Sequence, residues 1–164
     1  MSKLLKRGMV SGTNIARIIA LAIIAIIVVI YFATRPPPAQ PDIKITGSFS
    51  FDLETDNVNP TVKTIRIESV NGFSGSVTIS RGSLVWPSGY TGPTRVDITI
   101  SPQTVNVPSG GYASVTISFL APSTVWDTYL QASGWPTFTF DLIVTGGGIT
   151  RTQTFSIRVA NMVT

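Results

Sequence analysis

Three acidic side chains alternate along one short stretch of the sequence, at Asp52, Glu54 and Asp56. Carboxylate oxygens are the ligands that a hard cation such as Ca²⁺ prefers. The stretch lacks the Asp-x-Asp-x-Asp-Gly loop of a calcium-binding hand, and it contributes few carboxylates for a closed site. We therefore predict no metal site here and interpret the three residues as the solvated end of a β-strand.

Five aromatic side chains offer a different chemistry, that of binding another molecule. All three tryptophans of the chain and two of its tyrosines fall in two segments, 81–94 and 120–137. Trp and Tyr provide large rigid contact areas with a polar handle, and they are enriched among residues that dominate protein interfaces. The alternative for each is that it folds back and closes the open end of a β-sandwich. The predicted partner-binding residues are Trp86, Tyr90, Trp126, Tyr129 and Trp135.

The inventory of side chains argues against catalysis. The sequence contains no His and no Cys, so it offers neither a Ser-His-Asp nor a Cys-His arrangement, and a zinc site would lack its commonest ligands. Gly146-Gly147-Gly148 has the composition of a hairpin turn, and nothing places it before a helix where it would cradle a phosphate. We predict a protein that is not an enzyme and binds no cofactor.

Alternation of apolar and polar residues with a period of two dominates the chain from residue 42 onward. Turn signals rich in Gly, Pro and Asn separate the alternating runs, and no amphipathic helical stretch lies between them. The pattern predicts an all-β fold over 42–164, a seven-stranded immunoglobulin-like antiparallel β-sandwich rather than a barrel. The seven runs are 43–53, 65–67, 77–79, 96–100, 115–119, 138–144 and 155–159.

The order of these strands predicts where the aromatic segments lie. The apolar segment 15–34 before the sandwich is long enough to span a membrane, so the first strand is expected to lead away from that membrane. If antiparallel strands alternate from there, the connections after strands one, three and five meet at the far end. These connections are 54–61, 81–94 and 120–137. We therefore expect the five aromatic residues at the end of the sandwich farthest from the membrane.

An apolar segment precedes the sandwich. Residues 15–34 contain one charged residue, Arg17, and a helix of this length spans about 30 Å, the thickness of the hydrocarbon core of a bilayer. The Pro-rich segment 35–41 ends the helix, because proline lacks an N–H and clashes with the preceding turn. Basic residues without acidic ones in residues 1–14 predict a cytoplasmic N-terminus, a single transmembrane helix, a linker and an extracytoplasmic domain, 42–164.

Two other interpretations of the N-terminal region stay open beside the retained anchor. One is a pilin-type leader that is cut after Lys6-Arg7-Gly8, and the other is a secretory signal that is removed after the apolar stretch. The length of that stretch and the three prolines at 36–38 favour the retained anchor.

The net charge of +4 belongs to the N-terminal region rather than to the sandwich. From residue 36 onward, seven Lys and Arg stand against eight Asp and Glu. The outer domain is thus close to neutral and offers no basic patch for nucleic acid.

Parts of the sandwich sequence resemble the Ig-like repeats common on archaeal and bacterial cell surfaces. The matching stretches are NGFSGSVTIS at 71–80, ITISPQTVNVPSGGYASVTISFLAPST at 98–124 and TFTFDLIVTGGGITRTQTFSIRV at 137–159. The chain departs from the repeat at 121–136, where the repeat has a short Gly-Thr-Tyr step. This resemblance implies the fold and says almost nothing about function.

The whole layout, one N-terminal helix, a short linker and one Ig-like domain, is similar to the F subunit of the archaellum. The sister G subunit has the same layout. The resemblance implies a stator protein of the archaeal swimming motor, which stands in the pseudoperiplasm, binds the surface-layer (S-layer) protein and works beside a G-like subunit.

Three rival functions and one oligomeric state complete the expectations. The rivals are a filament subunit, pilin-like or with donor-strand exchange of the segment 36–50, an accessory subunit of a membrane enzyme complex, and a minor virion membrane protein. Because a sandwich has exposed edge strands and this one carries few charges, we also predict a homodimer joined at an edge or at an apolar sheet face.

Overall fold

The computed structural model describes residues 12–160, and the chain divides into two compact units between Ala39 and Gln40. The first eleven residues of the predicted cytoplasmic segment and the last four of the predicted sandwich lie outside the described residues. Each unit has its own architecture, and the boundary falls two residues before the predicted one.

The N-terminal unit contains one helix, α1 (Gly12–Thr34). Its stretch Ile15–Thr34 is long and apolar enough to cross a membrane, and every side chain along it is exposed. The helix ends directly before Arg35 and the prolines, as the sequence predicts. Arg35 folds back over the last turn, where its guanidinium donates to the Tyr31 hydroxyl and lies 4.4 Å from the Tyr31 ring centroid.

The second unit is a sandwich of two β-sheets. One sheet has four strands in the order β1-β3-β7-β5, and the other has five in the order β2-β9-β8-β4-β6. A helix, α2, joins β7 to β8. The bounds are β1 Asp42–Thr46, β2 Ser50–Glu54, β3 Thr61–Val70, β4 Gly75–Arg81, β5 Asp97–Ser101, β6 Thr104–Val107, β7 Tyr112–Leu120, α2 Ser123–Ser133, β8 Thr137–Gly146 and β9 Ile149–Ala160.

The inner faces of both sheets meet in one apolar core. Phe140 and Phe155 stack at its centre with their ring centroids 4.9 Å apart, and Phe119 packs against both. Most of the residues buried here are the apolar positions of the alternating runs, and the immunoglobulin-like sandwich predicted from the sequence is the fold of this unit.

The described sandwich has nine strands, so the predicted count of seven is wrong. The predicted first strand, 43–53, is two strands in different sheets, because the chain changes sheets at Gly47. Gly47 has a φ of +154°, and a Cβ there would lie 3.0 Å from Ile65 Cγ2, so a larger residue would meet the neighbouring strand. The other extra strand is β6, whose four residues are too few to show a clear period.

The prediction of a wholly antiparallel fold is also wrong at one strand pair. β2 runs parallel to β9, with Ser50 opposite Ser156 and Glu54 opposite Ala160. The reason is the same change of sheets: β2 continues in the direction of β1 after crossing, and β9 already runs that way. The remaining ladders are antiparallel.

Candidate functional site

The connections that carry the aromatic residues meet at one end of the sandwich. Thr61 lies opposite Phe119 and Asp97 lies opposite Leu120, so β3 and β5 begin where β7 ends. Asp42, at which β1 begins, lies opposite Val70 at the other end. The connections after β2, β4 and β7 therefore lie at one end of the sandwich, as the alternation of strands predicts. We call this end the aromatic end.

Trp126 belongs to the core of the aromatic end. It has no exposed surface, and its indole N–H donates to the backbone carbonyl of Arg95 at 2.8 Å. The Trp86 ring lies 5.6 Å from it and 4.8 Å from Phe138. The prediction that Trp126 contacts a partner is wrong, because the residue closes the end of the sandwich and satisfies its polar atom internally.

Trp86 and Tyr129 pack against Trp126, Tyr90 packs against both of them, and all three are half-buried. Trp86 stacks on Tyr90 at 4.9 Å between ring centroids, and Tyr129 meets the Tyr90 ring edge-on at 5.7 Å. The Tyr90 hydroxyl donates to the carbonyl of Pro93 at 2.7 Å. Burial, together with the neighbouring Tyr129, raises the pKa of Tyr90 well above its usual range. These three side chains mainly complete the core, and only their outer edges are accessible.

A helix, α2, positions two of these aromatic residues, although the sequence predicted an irregular connection there. Trp126, Tyr129 and Leu130 stand at helical spacing, and the indole of Trp126 and the side chain of Leu130 are buried. This spacing was the available signal, but the long alternating runs on both sides obscured so short a helix. With Pro122 at its N-cap position, α2 has no side-chain cap of its own.

The connection between β2 and β3 supplies the side-chain hydrogen bonds that hold the first turns of α2. The backbone N–H of Thr124 donates to the side-chain oxygen of Asn57 at 3.3 Å. Thr55 donates through its hydroxyl to the carboxylate of Asp127 at 2.9 Å. Two connections of the aromatic end are thereby tied together, and α2 is fixed over the opening between the sheets.

Trp135 differs from the other four aromatic residues because 48% of its surface is exposed. The guanidinium carbon of Arg158 lies 5.0 Å from the centroid of its ring. Arg158 in turn donates to both carboxylate oxygens of Asp52, through Nε at 2.8 Å and through a terminal nitrogen. These hydrogen bonds lower the pKa of the Asp52 carboxyl and raise that of the guanidinium. An exposed indole is thus held on an arginine that is itself fixed by two hydrogen bonds.

Strand register shows what surrounds Trp135. Arg158 lies opposite both Asp52 and Thr137, so these three share the outer face of the five-stranded sheet. Val85, which is 60% exposed, pairs with Thr139 two residues along β8 and therefore joins the same face. We call Trp135, Arg158, Asp52, Thr137 and Val85 the Trp135 patch.

Asp52 and Glu54 are exposed at the end of β2, as predicted for a solvated strand end, and two of the three acidic residues also accept hydrogen bonds. Asp52 pairs with Arg158, and Asp56 accepts the backbone N–H groups of Val58 at 2.8 Å and Asn59 at 3.1 Å. These backbone hydrogen bonds lower the pKa of Asp56. Within residues 12–160 no group of three or more acidic residues, His or Cys is arranged to hold a metal ion.

Comparison with known proteins gives likeness of fold only. No protein-family model matches the chain, and no curated protein matches it. Among solved structures, the PapD-like domain 7 of human CEP192 is similar, at 16% identity over 79% of this chain and 89% of that chain, with a TM-score of 0.45.

Two bacterial proteins are similar to the same degree. The CooA pilin subunit from enterotoxigenic Escherichia coli has 11% identity over 73% of this chain and 97% of its own, with a TM-score of 0.49. AggA, the major subunit of aggregative adherence fimbriae type I from Escherichia coli, has 12% identity over 78% and 99%, with a TM-score of 0.45. Likeness at this level carries no argument about function.

Proposed function

We propose that this chain is a non-enzymatic anchoring protein of the cell envelope, and specifically a stator component of the archaellum. The helix holds it in the cell membrane with the N-terminus in the cytoplasm, and the sandwich binds the S-layer protein outside, beside a G-like subunit. The observation that carries the proposal is the Trp135 patch, an exposed and preorganised aromatic surface in a chain that also has a helix able to cross a membrane.

The composition of the Trp135 patch suits binding to a protein. Trp and Arg are the residues that most often dominate interface energies, and a side chain already held in place loses little entropy on binding. Arg158 is held by Asp52 before any partner arrives, and the Trp135 ring lies against it. The patch is neutral overall, since the ion pair supplies one charge of each sign, so we expect its affinity to depend weakly on salt.

The sandwich gives no support to the rival function of donor-strand exchange. Segment 36–50 includes β1, which pairs with β3 of its own chain from Asp42 to Thr46. Ile43 of this strand is 1% exposed, so the chain fills its own core. A filament built by exchange would have to move these contacts from within each chain to between neighbouring chains.

The test is binding of the full chain, purified in detergent, to isolated S-layer protein. Trp135→Ala should weaken binding by about 2 kcal/mol or more, roughly thirtyfold, if the residue dominates the interface. The matched control is Tyr112→Ala, since Tyr112 is 52% exposed and lies 4.6 Å from the guanidinium of Arg66 on the other sheet. Equal losses for the two variants would contradict a role for the Trp135 patch, and wild-type protein that does not bind would remove the stator function.

A further inference from the structure

The two described sheets of the sandwich end in four edge strands, β1 and β5 in one sheet and β2 and β6 in the other. An edge strand presents backbone N–H and C=O groups that can pair with another chain, and proteins usually protect such edges with charges, prolines or short strands. The four edges of this chain are protected to very different degrees.

The edge at β1 is protected by charge. Its central residue is Lys44, and two copies of β1 paired about their centres would bring one Lys44 opposite the other. The outward N–H of Ile43 is already bonded to the Asp42 carboxylate at 2.7 Å, and Asp42 also pairs with Arg151 of β9 at 2.5 Å. This ion pair lowers the pKa of Asp42 and bridges the opening between the two sheets on this side.

The two edges of the other sheet are also protected. The centre of β2 is Asp52, so self-pairing would oppose two carboxylates. β6 has only four residues and lies between Pro102 and Pro108, neither of which has an N–H to donate.

The edge at β5 is the least protected of the four, because its one charged residue, Asp97, lies at its end and pairs with Arg95, and Pro102 only follows the strand. Its sequence is Asp-Ile-Thr-Ile-Ser, with the uncharged and exposed Thr99 at the centre. A groove of about 450 Å³ runs beside it, lined by Ile98, Ile100 and residues 78–81 of β4. Ile98 is only half-buried, so part of an inward-facing apolar side chain remains open to the groove.

The strand register also shows which backbone groups of β5 face outward. Ser69 of β3 donates to Gly111 at 2.8 Å, which directs odd-numbered residues of β3 toward β7. Ser69 and Gly111 continue the ladder in which Glu68 lies opposite Tyr112, so even-numbered residues of β7 face β5. Leu120 and Ser118 lie opposite Asp97 and Thr99, so Ile98 and Ile100 present their N–H and C=O groups at the free edge.

We propose that β5 pairs with β5 of a second copy of this chain, antiparallel and centred on Thr99. Ile98 then lies opposite Ile100 of the second copy, and each such pair exchanges two backbone hydrogen bonds. Thr99 lies opposite its counterpart in the close, non-hydrogen-bonded position, and Asp97 lies opposite Ser101. No like charges meet, in contrast to the same pairing of β1 or β2, and the four-stranded sheet continues through both copies.

Cysteine cross-linking tests this register in the full chain in detergent. Directly opposed, non-hydrogen-bonded residues have Cα atoms about 4.5 Å apart, which suits a disulfide. The sequence has no Cys, so oxidised Thr99→Cys protein should form one species of cross-linked dimer. The matched control is Thr64→Cys, which changes an exposed Thr on β3, two strands away from the edge, and should stay uncross-linked. Similar cross-linking of both variants, or of neither, would overturn the proposal.

A charge variant tests the same edge without a covalent cross-link. Thr99→Lys should raise the dimer dissociation constant on the order of fivefold, because it opposes two ammonium groups, while Thr64→Lys should leave it unchanged. Sedimentation of the detergent-solubilised chain measures the constant, and thermal melting checks that both variants fold. A wild-type monomer at high concentration, or a dimer insensitive to Thr99→Lys, would refute pairing at β5. The measurement involves no S-layer protein, so it is independent of the proposed binding function.

Discussion

Two tryptophans nine residues apart, Trp126 and Trp135, have opposite roles in this fold. Trp126 lies within α2 and points into the core, whereas Trp135 follows Gly134, which ends the helix with a φ of +81°. The glycine lets the chain turn out of the helix, and β8 begins three residues later, at Thr137. The helix and its end, rather than residue type, decide which indole is available to a partner.

The first prediction concerns Trp126. Trp126→Ala should lower the free energy of unfolding by about 3–5 kcal/mol, because it leaves a large cavity and removes the hydrogen bond to Arg95. Trp135→Ala should change it little, since half of that side chain is already exposed. Denaturant unfolding of the two variants measures the difference, and similar losses would show that Trp135 also serves the core.

The second prediction concerns Tyr90, whose raised pKa makes stability depend on alkaline pH. Below the unfolded-state pKa of about 10, both states hold the proton and the pH has no effect through this group. Above it, the unfolded chain releases the proton while the folded chain retains it, so stability should fall as pH rises. Unfolding measured between neutral and strongly alkaline pH should show this loss, and Tyr90→Phe should reduce it. An identical fall in the variant would assign the effect to other groups.

At the scale of elements, the sequence determined the strands better than their connections. Alternation identified the inward-facing residues of each long strand, since burial on one face imposes a period of two. It could not show the change of sheets at Gly47, because the apolar positions continue in phase through both β1 and β2. Alternation also could not distinguish the buried Trp126 from the exposed Trp135. Their difference in exposure depends on α2, and α2 is held by hydrogen bonds from Thr55 and Asn57, which are distant in sequence.

The third prediction tests how α2 is held. Asn57→Ala should lower the free energy of unfolding by about 1 kcal/mol, the usual effect of losing a helix N-cap, even though Asn57 lies far from α2 in sequence. Asn106→Ala is the control, because Asn106 is exposed on β6 and has no side-chain hydrogen bond among the described residues. Thermal or denaturant unfolding gives the comparison, and equal effects at both positions would mean that Asn57 does not cap the helix.

At the scale of the whole molecule, the chain combines an apolar helix with a sandwich that needs no disulfide. The sequence has no Cys, and the sandwich is instead held by one continuous core from Ile43 in β1 to Val159 in β9. Each unit is held by contacts of its own, and the division between the units falls between Ala39 and Gln40. We infer that the sandwich does not depend on the helix for its fold.

The last prediction follows from that division. The full chain should fractionate with membranes, because Ile15–Thr34 has the length and composition to span the bilayer. A shortened chain that begins at Pro36 should instead be soluble and should unfold cooperatively, because its core lies within the sandwich.

Mass spectrometry of the protein from its native membrane separates the retained anchor from the two processed forms. A chain that starts at Met9 would indicate a pilin-type leader, and one that starts beyond the apolar stretch would indicate a removed signal. Either result would contradict the proposed anchor. If the shortened chain also remained with membranes in the absence of a partner, the helix would not be what holds the protein there.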